Sequence, residues 1–135
     1  MNLDSNELPH VIVGACMEVH RHLGPGLVAD AYKGCLGLEL RMKELVVKQD
    51  QAVQVSYKDH WINCGFTLDF VIEDLIVVSV LAVEEFLPIH KDTMKNYLRL
   101  TGYETGMLIN FNVKDMRSGV KRIIVSGSEP QMRYK

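Results

Sequence analysis

One carboxylate near the middle of the chain, that of Asp69, has neighbours of types that could support chemistry. It lies in residues 65–85, GFTLDFVIEDLIVVSVLAVEE, where an alternating arm and an apolar, β-branched arm predict a central hairpin. If the turn is residues 73–75, Asp69 lies directly opposite Ser79, and Leu81 projects from the same face. An aspartate so placed either ligates a hard cation or accepts hydrogen bonds from Ser79 or nearby backbone N–H groups, and the second role is favoured for a lone carboxylate.

A basic stripe on a later predicted helix offers a second kind of chemistry. Lys91, Lys95 and Arg99 recur at i, i+4 and i+8, so they share one helix face and could contact phosphates. A charged stripe is more often the solvated face of an amphipathic helix. Because the formal net charge is −2, the chain as a whole does not attract nucleic acid, and binding of nucleic acid stays open without being favoured.

Other titratable groups lack the spacing that catalysis needs. Glu18 and His20, two residues apart on a predicted helix, point in different directions, so structural roles are favoured for both. Ser79 has no identifiable His and Asp partners for a hydrolase triad. The cysteines number three, without paired spacing, which suits buried free thiols, and no Cys or His pair indicates a zinc site.

Helices and strands alternate around the hairpin. Periodicity predicts two helices before it, ending at Gly24 and near Lys43, then a strand within residues 45–57, and after the hairpin a third helix from Pro88 to Gly102 and two further strands. This order, ααβββαββ, predicts an α/β fold with a central mixed sheet flanked by helices.

The second helix carries two further expectations. Its expected buried residues are Leu36, Leu38, Leu40 and Met42. Its two glycines, Gly34 and Gly37, indicate close approach to another backbone, because glycine otherwise weakens a helix.

The composition suits one globular domain, residues 1–135, since 47% of the 135 residues are hydrophobic. Residues 1–5 and 127–135 are expected to be frayed ends. The longest apolar run is well short of the ~20 residues of a membrane span, and the N-terminus lacks the regions of a signal peptide. We therefore expect a cytoplasmic protein that does not contact membrane.

Several segments together resemble the GxxExxY proteins, a bacterial family assigned to the PD-(D/E)XK nuclease fold. The segments are VGACMEVHRHLGPGL, the Tyr32 that closes the family motif, FTLDFVIEDLIVV, LAVEE, NYLRLTGYETGMLINFNV and GVKRIIV. The resemblance implies a metal-dependent nuclease core, in which a helix supplies a glutamate and strands supply an aspartate and a Glu-x-Lys pair around Mg²⁺ or Mn²⁺. The lysine of that pair would act on the attacking water or the phosphorus.

The chain departs from that pattern at most positions that carry chemistry. Ala29 stands where the motif has glutamate, Ser79 and Leu81 stand where the pair has Glu and Lys, and Thr93 replaces a polar residue, commonly glutamine, of the following helix. The resemblance thus leaves Asp69 as the retained carboxylate. One carboxylate lacks the charge to hold Mg²⁺ at useful affinity.

We therefore expect a catalytically inactive nuclease-fold protein without a cofactor, acting by self-association or by binding a protein partner. A homo-oligomer would use apolar surface, for which Met107, Leu108 and the region of Trp61 are the candidates.

Two alternatives stay open. The first is nucleic-acid binding without cleavage through the basic stripe. The second is a metal-dependent nuclease with a site rearranged around Asp69, in which Asp30 and Glu84 supply further ligands to Mg²⁺ or Mn²⁺.

Overall fold

A computed structural model describes residues 6–125, with the side chains of residues 64 and 65 excepted, so the expected fraying of residues 1–5 and 127–135 lies outside the described residues. The elements in chain order are α1 (Leu8–Leu23), α2 (Ala29–Met42), β1 (Val47–Tyr57), β2 (His60–Ile72), β3 (Ile76–Leu81), α3 (Pro88–Thr101), β4 (Thr105–Asn110) and β5 (Val120–Ile124), with a short 3₁₀ helix, Met116–Gly119, before β5. The predicted α/β class and the order ααβββαββ are confirmed.

The five strands form one sheet in sequence order, β1-β2-β3-β4-β5. Neighbours are antiparallel except β3 and β4, which are parallel and connected through α3. In the β2–β3 hairpin, Ile72 pairs with Ile76 and Phe70 with Val78. Continued by one residue, this register sets Asp69 opposite Ser79, as the three-residue turn predicts.

The sheet is covered on both faces. Helices α1 and α2 pack on one face, where Leu8, Ile12 and Leu36 join a core cluster with Phe70, Ile72 and Val78. Helix α3 packs on the other face, where Met94 and Leu98 join Val71, Val77 and Leu108. Because both faces of β3 are buried, its side chains are apolar apart from Ser79, and each buried apolar side chain contributes about 1.5–3 kcal/mol to folding.

Of the four α2 residues predicted to be buried, two are buried and two are exposed. Leu36 and Leu40 are fully buried, but Leu38 is 60% exposed and Met42 is 67% exposed. A helix of 3.6 residues per turn places residues two apart on nearly opposite faces, so the four could not share one side. The predicted close approach of Gly34 and Gly37 to another backbone is also wrong: a Cβ at Gly37 would meet the side chains of Gln49, Arg41 and Phe70, and one at Gly34 would meet no described atom outside its own helix within 4 Å.

Two predictions about surface and burial are also wrong. Met107 and Leu108 are 1% and 3% exposed, because β4 is an inner strand covered on both faces. These two residues therefore cannot form a homodimer surface. Trp61, the other candidate for that surface, is exposed, as the prediction required. Cys16 is buried as expected, but Cys35 lies on the outer side of α2 and is exposed. The side chain of Cys64 lies outside the described residues.

The ends of α3 and β4 position the elements around Asp69. Pro88 begins α3, and Gly102 ends it in the left-handed conformation (φ 86°), with its N–H donating to Leu98 O at 2.9 Å. The buried amide of Asn110 accepts from the N–H of Val83 at 3.0 Å and donates to the carbonyl of Val83 at 2.9 Å. These two bonds hold the loop that follows β3 beside the end of β4.

None of the helices within residues 6–125 has the length and apolarity to span a membrane.

Candidate functional site

The carboxylate of Asp69 is held from two sides. Its side chain is 27% exposed. One oxygen, Oδ2, accepts a hydrogen bond from the backbone N–H of Val80 at 2.8 Å. This donor comes from the neighbouring strand β3, next to Ser79, so the expected hydrogen bond from nearby backbone is present.

The other side of Asp69 faces a lysine that the sequence patterns did not single out. Lys33, on α2, has its Nζ 3.7 Å from Asp69 Oδ1 and donates a hydrogen bond of 2.7 Å to Asp50 Oδ1. Asp50 lies opposite Asp69 on β1, between the pairs Gln49–Phe70 and Gln51–Leu68. Its backbone is left-handed (φ 53°), a conformation that aspartate tolerates better than most residues. One ammonium group thus lies between two carboxylates.

A small cavity of about 140 Å³ opens beside Asp69. The other residues that line it come from β3, α3 and β4: Ser79, Leu81, His90, Thr93, Met94, Tyr97 and Leu108. The structure therefore brings together four of the five positions compared with the family pattern, Asp69, Ser79, Leu81 and Thr93. Ala29, the fifth, begins α2, is half-buried and does not line this cavity.

The polar groups around the cavity already have partners or are partly desolvated. Burial raises the pKa of Asp69, and the Val80 N–H and the Lys33 ammonium oppose that rise only in part. The hydrogen bond to Asp50 raises the pKa of Lys33, so this lysine stays charged. Burial, with a contribution from Asp69, raises the pKa of Tyr97. The ring of His90 accepts the N–H of Leu87 through Nδ1 at 2.9 Å, which caps α3.

Comparison with known proteins identifies the family. The sequence model of the PD-(D/E)XK nuclease superfamily matches residues 6–123. This chain belongs to the PD-(D/E)XK nuclease superfamily. No curated protein and no solved structure gives a significant match.

The metal ion that PD-(D/E)XK nuclease chemistry implies does not fit these residues. Mg²⁺ requires several oxygen ligands in near-octahedral geometry, with at least one or two of them anionic. Here one oxygen of Asp69 accepts a backbone N–H, and the other faces the ammonium of Lys33, which also binds Asp50. Within residues 6–125, no three His, Cys, Asp or Glu side chains are grouped so that they could hold a metal ion.

The other acids proposed as ligands are not brought into the cavity of this PD-(D/E)XK protein. Asp30 is exposed in the first turn of α2, where its charge contributes to the raised pKa of Lys33. Glu84 is exposed in the loop after β3 and is not among the residues that line the cavity. Glu18 binds Arg21 and His22, while His20 Nε2 lies 2.7 Å from Val113 O, so the two side chains have separate hydrogen-bond partners, although both line one open surface cavity, which the predicted divergence of the two side chains did not anticipate.

The basic stripe lies on the outer side of α3. Lys91, Lys95 and Arg99 are all exposed, and Arg99 donates to Asn96 Oδ1 at 3.0 Å. Their exposure agrees with both a solvated helix face and a phosphate-binding face, so nucleic-acid binding stays a prediction.

Sequence reasoning missed Lys33, Asp50 and Tyr97. A signal for Lys33 was available: it follows Ala29 by four residues, and positions i and i+4 share one helix face. Ala29, where the resemblance places the motif glutamate, is therefore followed one turn later by a lysine whose ammonium faces Asp69. The position of Asp50 depends on the β1–β2 register, which the sequence did not fix.

Proposed function

We propose that this protein is a catalytically inactive, GxxExxY-type member of the PD-(D/E)XK superfamily that acts as a binding module, through self-association or a protein partner. The observation that carries the proposal is the placement of Lys33. Its ammonium lies beside Asp69, the one retained carboxylate, and supplies there the positive charge that a metal ion would otherwise supply.

The ion pair between Lys33 and Asp50 opposes metal binding at Asp69. Asp50, Asp69 and Lys33 together carry a formal charge of −1, and a divalent ion would have to displace the 2.7 Å bond between Lys33 and Asp50. After that displacement the ammonium would lie close to the new cation, which costs electrostatic energy in a partly desolvated site. Ser79 and Leu81 supply no anionic ligand in compensation.

Packing around the degenerate positions favours a structural role for the former site. Leu81 packs with the apolar cluster beneath α3, and Leu108 closes the same region from β4. The cavity that remains, about 140 Å³, is small for a nucleotide, since ligand sites usually span about 300–1,000 Å³. A fold that retains its core without its chemistry can still present surfaces to partners.

The test compares the wild-type protein with Asp69→Ala. Both proteins are incubated with single-stranded DNA, double-stranded DNA and RNA in millimolar Mg²⁺ or Mn²⁺, and Mn²⁺ binding is measured by titration calorimetry. We expect no cleavage above the level of Asp69→Ala and no saturable heat of binding. Metal-dependent cleavage that Asp69→Ala abolishes would overturn the proposal.

A second candidate function, nucleic-acid binding without cleavage, is supported by the shared exposure of Lys91, Lys95 and Arg99. It predicts binding that weakens steeply with salt and further with Lys95→Glu. A gel-shift assay at low salt, in which neither DNA nor RNA is retarded, would exclude it.

A further inference from the structure

The side of α2 that faces away from the sheet carries apolar residues at helical spacing. We call it the outer α2 face, and its members are Ala31, Gly34, Cys35, Leu38 and Met42. It lies opposite the buried side of the same helix, which carries Tyr32, Leu36 and Leu40. Leu38 and Met42 are 60% and 67% exposed, so the large side chains of this face are mostly in contact with solvent.

Contacts within the described part of the chain do not explain why the outer α2 face is apolar and contains a glycine. A Cβ added at Gly34 would meet nothing within 4 Å, although an interior glycine costs a helix about 0.5–1 kcal/mol. Two further exposed apolar residues lie close to the helix in the chain, Val28 (71% exposed) directly before it and Val46 (64% exposed) shortly after it. Single exposed apolar residues are common, but a contiguous row of them marks an interaction surface.

The sizes and charges of the residues along the outer α2 face complement those of the same face read in the opposite direction. An antiparallel pair of α2 helices can be aligned with Ala31 of one copy opposite Met42 of the other and Cys35 opposite Leu38, so these two small residues each meet a large one. Asp30 and Arg41 are both exposed and lie on one flank of the face, about three helical turns apart, where the Arg41 guanidinium also donates to Gln49 Oε1 at 3.1 Å. The same alignment brings the Asp30 of each copy towards the Arg41 of the other.

We propose that the outer α2 face binds a second copy of this chain, with the two α2 helices antiparallel about a two-fold axis. The inference names the partner of the binding module and in that sense rests on the function proposed above. A two-fold axis makes each surface its own partner, which is the simplest closed assembly. Gly34 lets the two helices approach to the closer end of the usual 8–10 Å range.

The expected dimer is weak. A contact limited to one helix per copy and its two flanking residues is smaller than the roughly 800 Å² per partner of a standard interface. We therefore expect a dissociation constant on the order of 10 µM, so that the equilibrium between monomer and dimer lies within a measurable range of concentrations.

The first test measures mass by light scattering, from low to high micromolar protein. The wild type should approach twice the monomer mass as its concentration rises. Leu38→Glu should remain a monomer, because it places a charge in the interface. The matched control is Ile89→Glu, since Ile89 is also a helical residue with 60% exposure but lies on α3; it should dimerise like the wild type. A wild type that stays monomeric, or a Leu38→Glu that dimerises normally, would overturn the inference.

The second test exchanges charges. Asp30→Arg and Arg41→Asp should each weaken self-association, because each creates two repulsive pairs across the two-fold axis. An equimolar mixture of the two variants should form a heterodimer with both pairs attractive. A mixture that associates no better than the separate variants would contradict the antiparallel arrangement. The substituted positions in both tests are exposed: Leu38, Ile89, Asp30 and Arg41. Circular dichroism verifies that each variant is folded.

The two proposals fail separately. Metal-dependent cleavage would overturn the inactive-module proposal without changing the measured mass. A monomeric wild type without cleavage would overturn the dimer and leave the inactive module with a different protein partner.

Discussion

The ammonium of Lys33 lies 3.7 Å from the carboxylate of Asp69, and the two groups come from opposite sides of the site, the helix α2 and the strand β2. A carboxylate that is partly withdrawn from water is stabilised by an opposite charge at this distance. In this chain a side chain supplies that charge, so the site needs no ion to be stable. This relationship leads to two predictions about charge at the site.

Adding a carboxylate opposite Asp69 should create metal affinity. Ser79→Glu places a second acid in the cavity, and without metal the crowded charges should lower the free energy of unfolding by about 1–3 kcal/mol. Mn²⁺ should then raise the melting temperature of Ser79→Glu but not that of the wild type or of the neutral, equally large Ser79→Gln. An equal response of wild type and Ser79→Glu would show that the metal binds elsewhere.

Lowering the pH should raise the free energy of unfolding of the wild type relative to that of Asp69→Asn. Burial raises the pKa of Asp69 in the folded state, so the folded chain holds this proton at a pH where the unfolded chain has lost it. The stabilising contribution is therefore fully present below the unfolded pKa of about 3.9, and it is lost as pH rises through the folded value.

Urea denaturation of both proteins, from about neutral pH to about pH 4, measures this difference. The free energy of unfolding of the wild type, relative to Asp69→Asn, should increase towards acid. The hydrogen bond from the Arg117 side chain lowers the pKa of Asp115 to about 2, so Asp115 loses its stabilising contribution as pH falls, but that effect is common to both proteins and cancels. A difference that is flat or falls towards acid would contradict the argument.

The parts of the fold that sequence predicts well are those fixed by local rules. The register of the β2–β3 hairpin follows from a three-residue turn and from alternation, so the position of Asp69 opposite Ser79 was predictable. Likewise Pro88 and Gly102 mark the ends of α3, because proline suits a first helical turn and glycine suits a left-handed C-terminal residue.

The parts that were not predicted depend on contacts between distant residues. Lys33 reaches Asp69 only because α2 packs across β1 and β2, and Asp50 joins them only because its backbone is left-handed within a strand. The exposure of Leu38 is a different case: the helical period alone separates it from Leu36, and hydrophobicity misled the prediction.

Tyr32 should stabilise the connection between α1 and α2 through its hydroxyl group. The hydroxyl donates to Gly24 O at 2.5 Å and accepts from the N–H of Leu27 at 3.1 Å, while the ring stacks on Phe111 with centroids 4.6 Å apart. Tyr32→Phe keeps the ring and leaves both backbone groups without this partner, so it should lower the free energy of unfolding by about 1–3 kcal/mol. Tyr57→Phe, at an exposed position, should change it by less than about 0.5 kcal/mol in the same urea measurement. Equal effects of the two substitutions would show that the Tyr32 hydroxyl adds no stability.

Gly119 should not tolerate a side chain, because the backbone of β4 lies against it. A Cβ added there would be 2.2 Å from the carbonyl oxygen of Asn110, and a backbone atom of a paired strand cannot move aside as a flexible side chain can. Gly119→Ala should therefore lower the free energy of unfolding by about 1–3 kcal/mol. The matched control is Gly14→Ala, in the interior of α1, where the added methyl group meets nothing within 4 Å and should stabilise the protein by about 0.5–1 kcal/mol. Opposite signs in urea denaturation would confirm the close approach of Gly119 to β4, whereas a neutral Gly119→Ala would mean that β4 and the 3₁₀ helix separate at little cost.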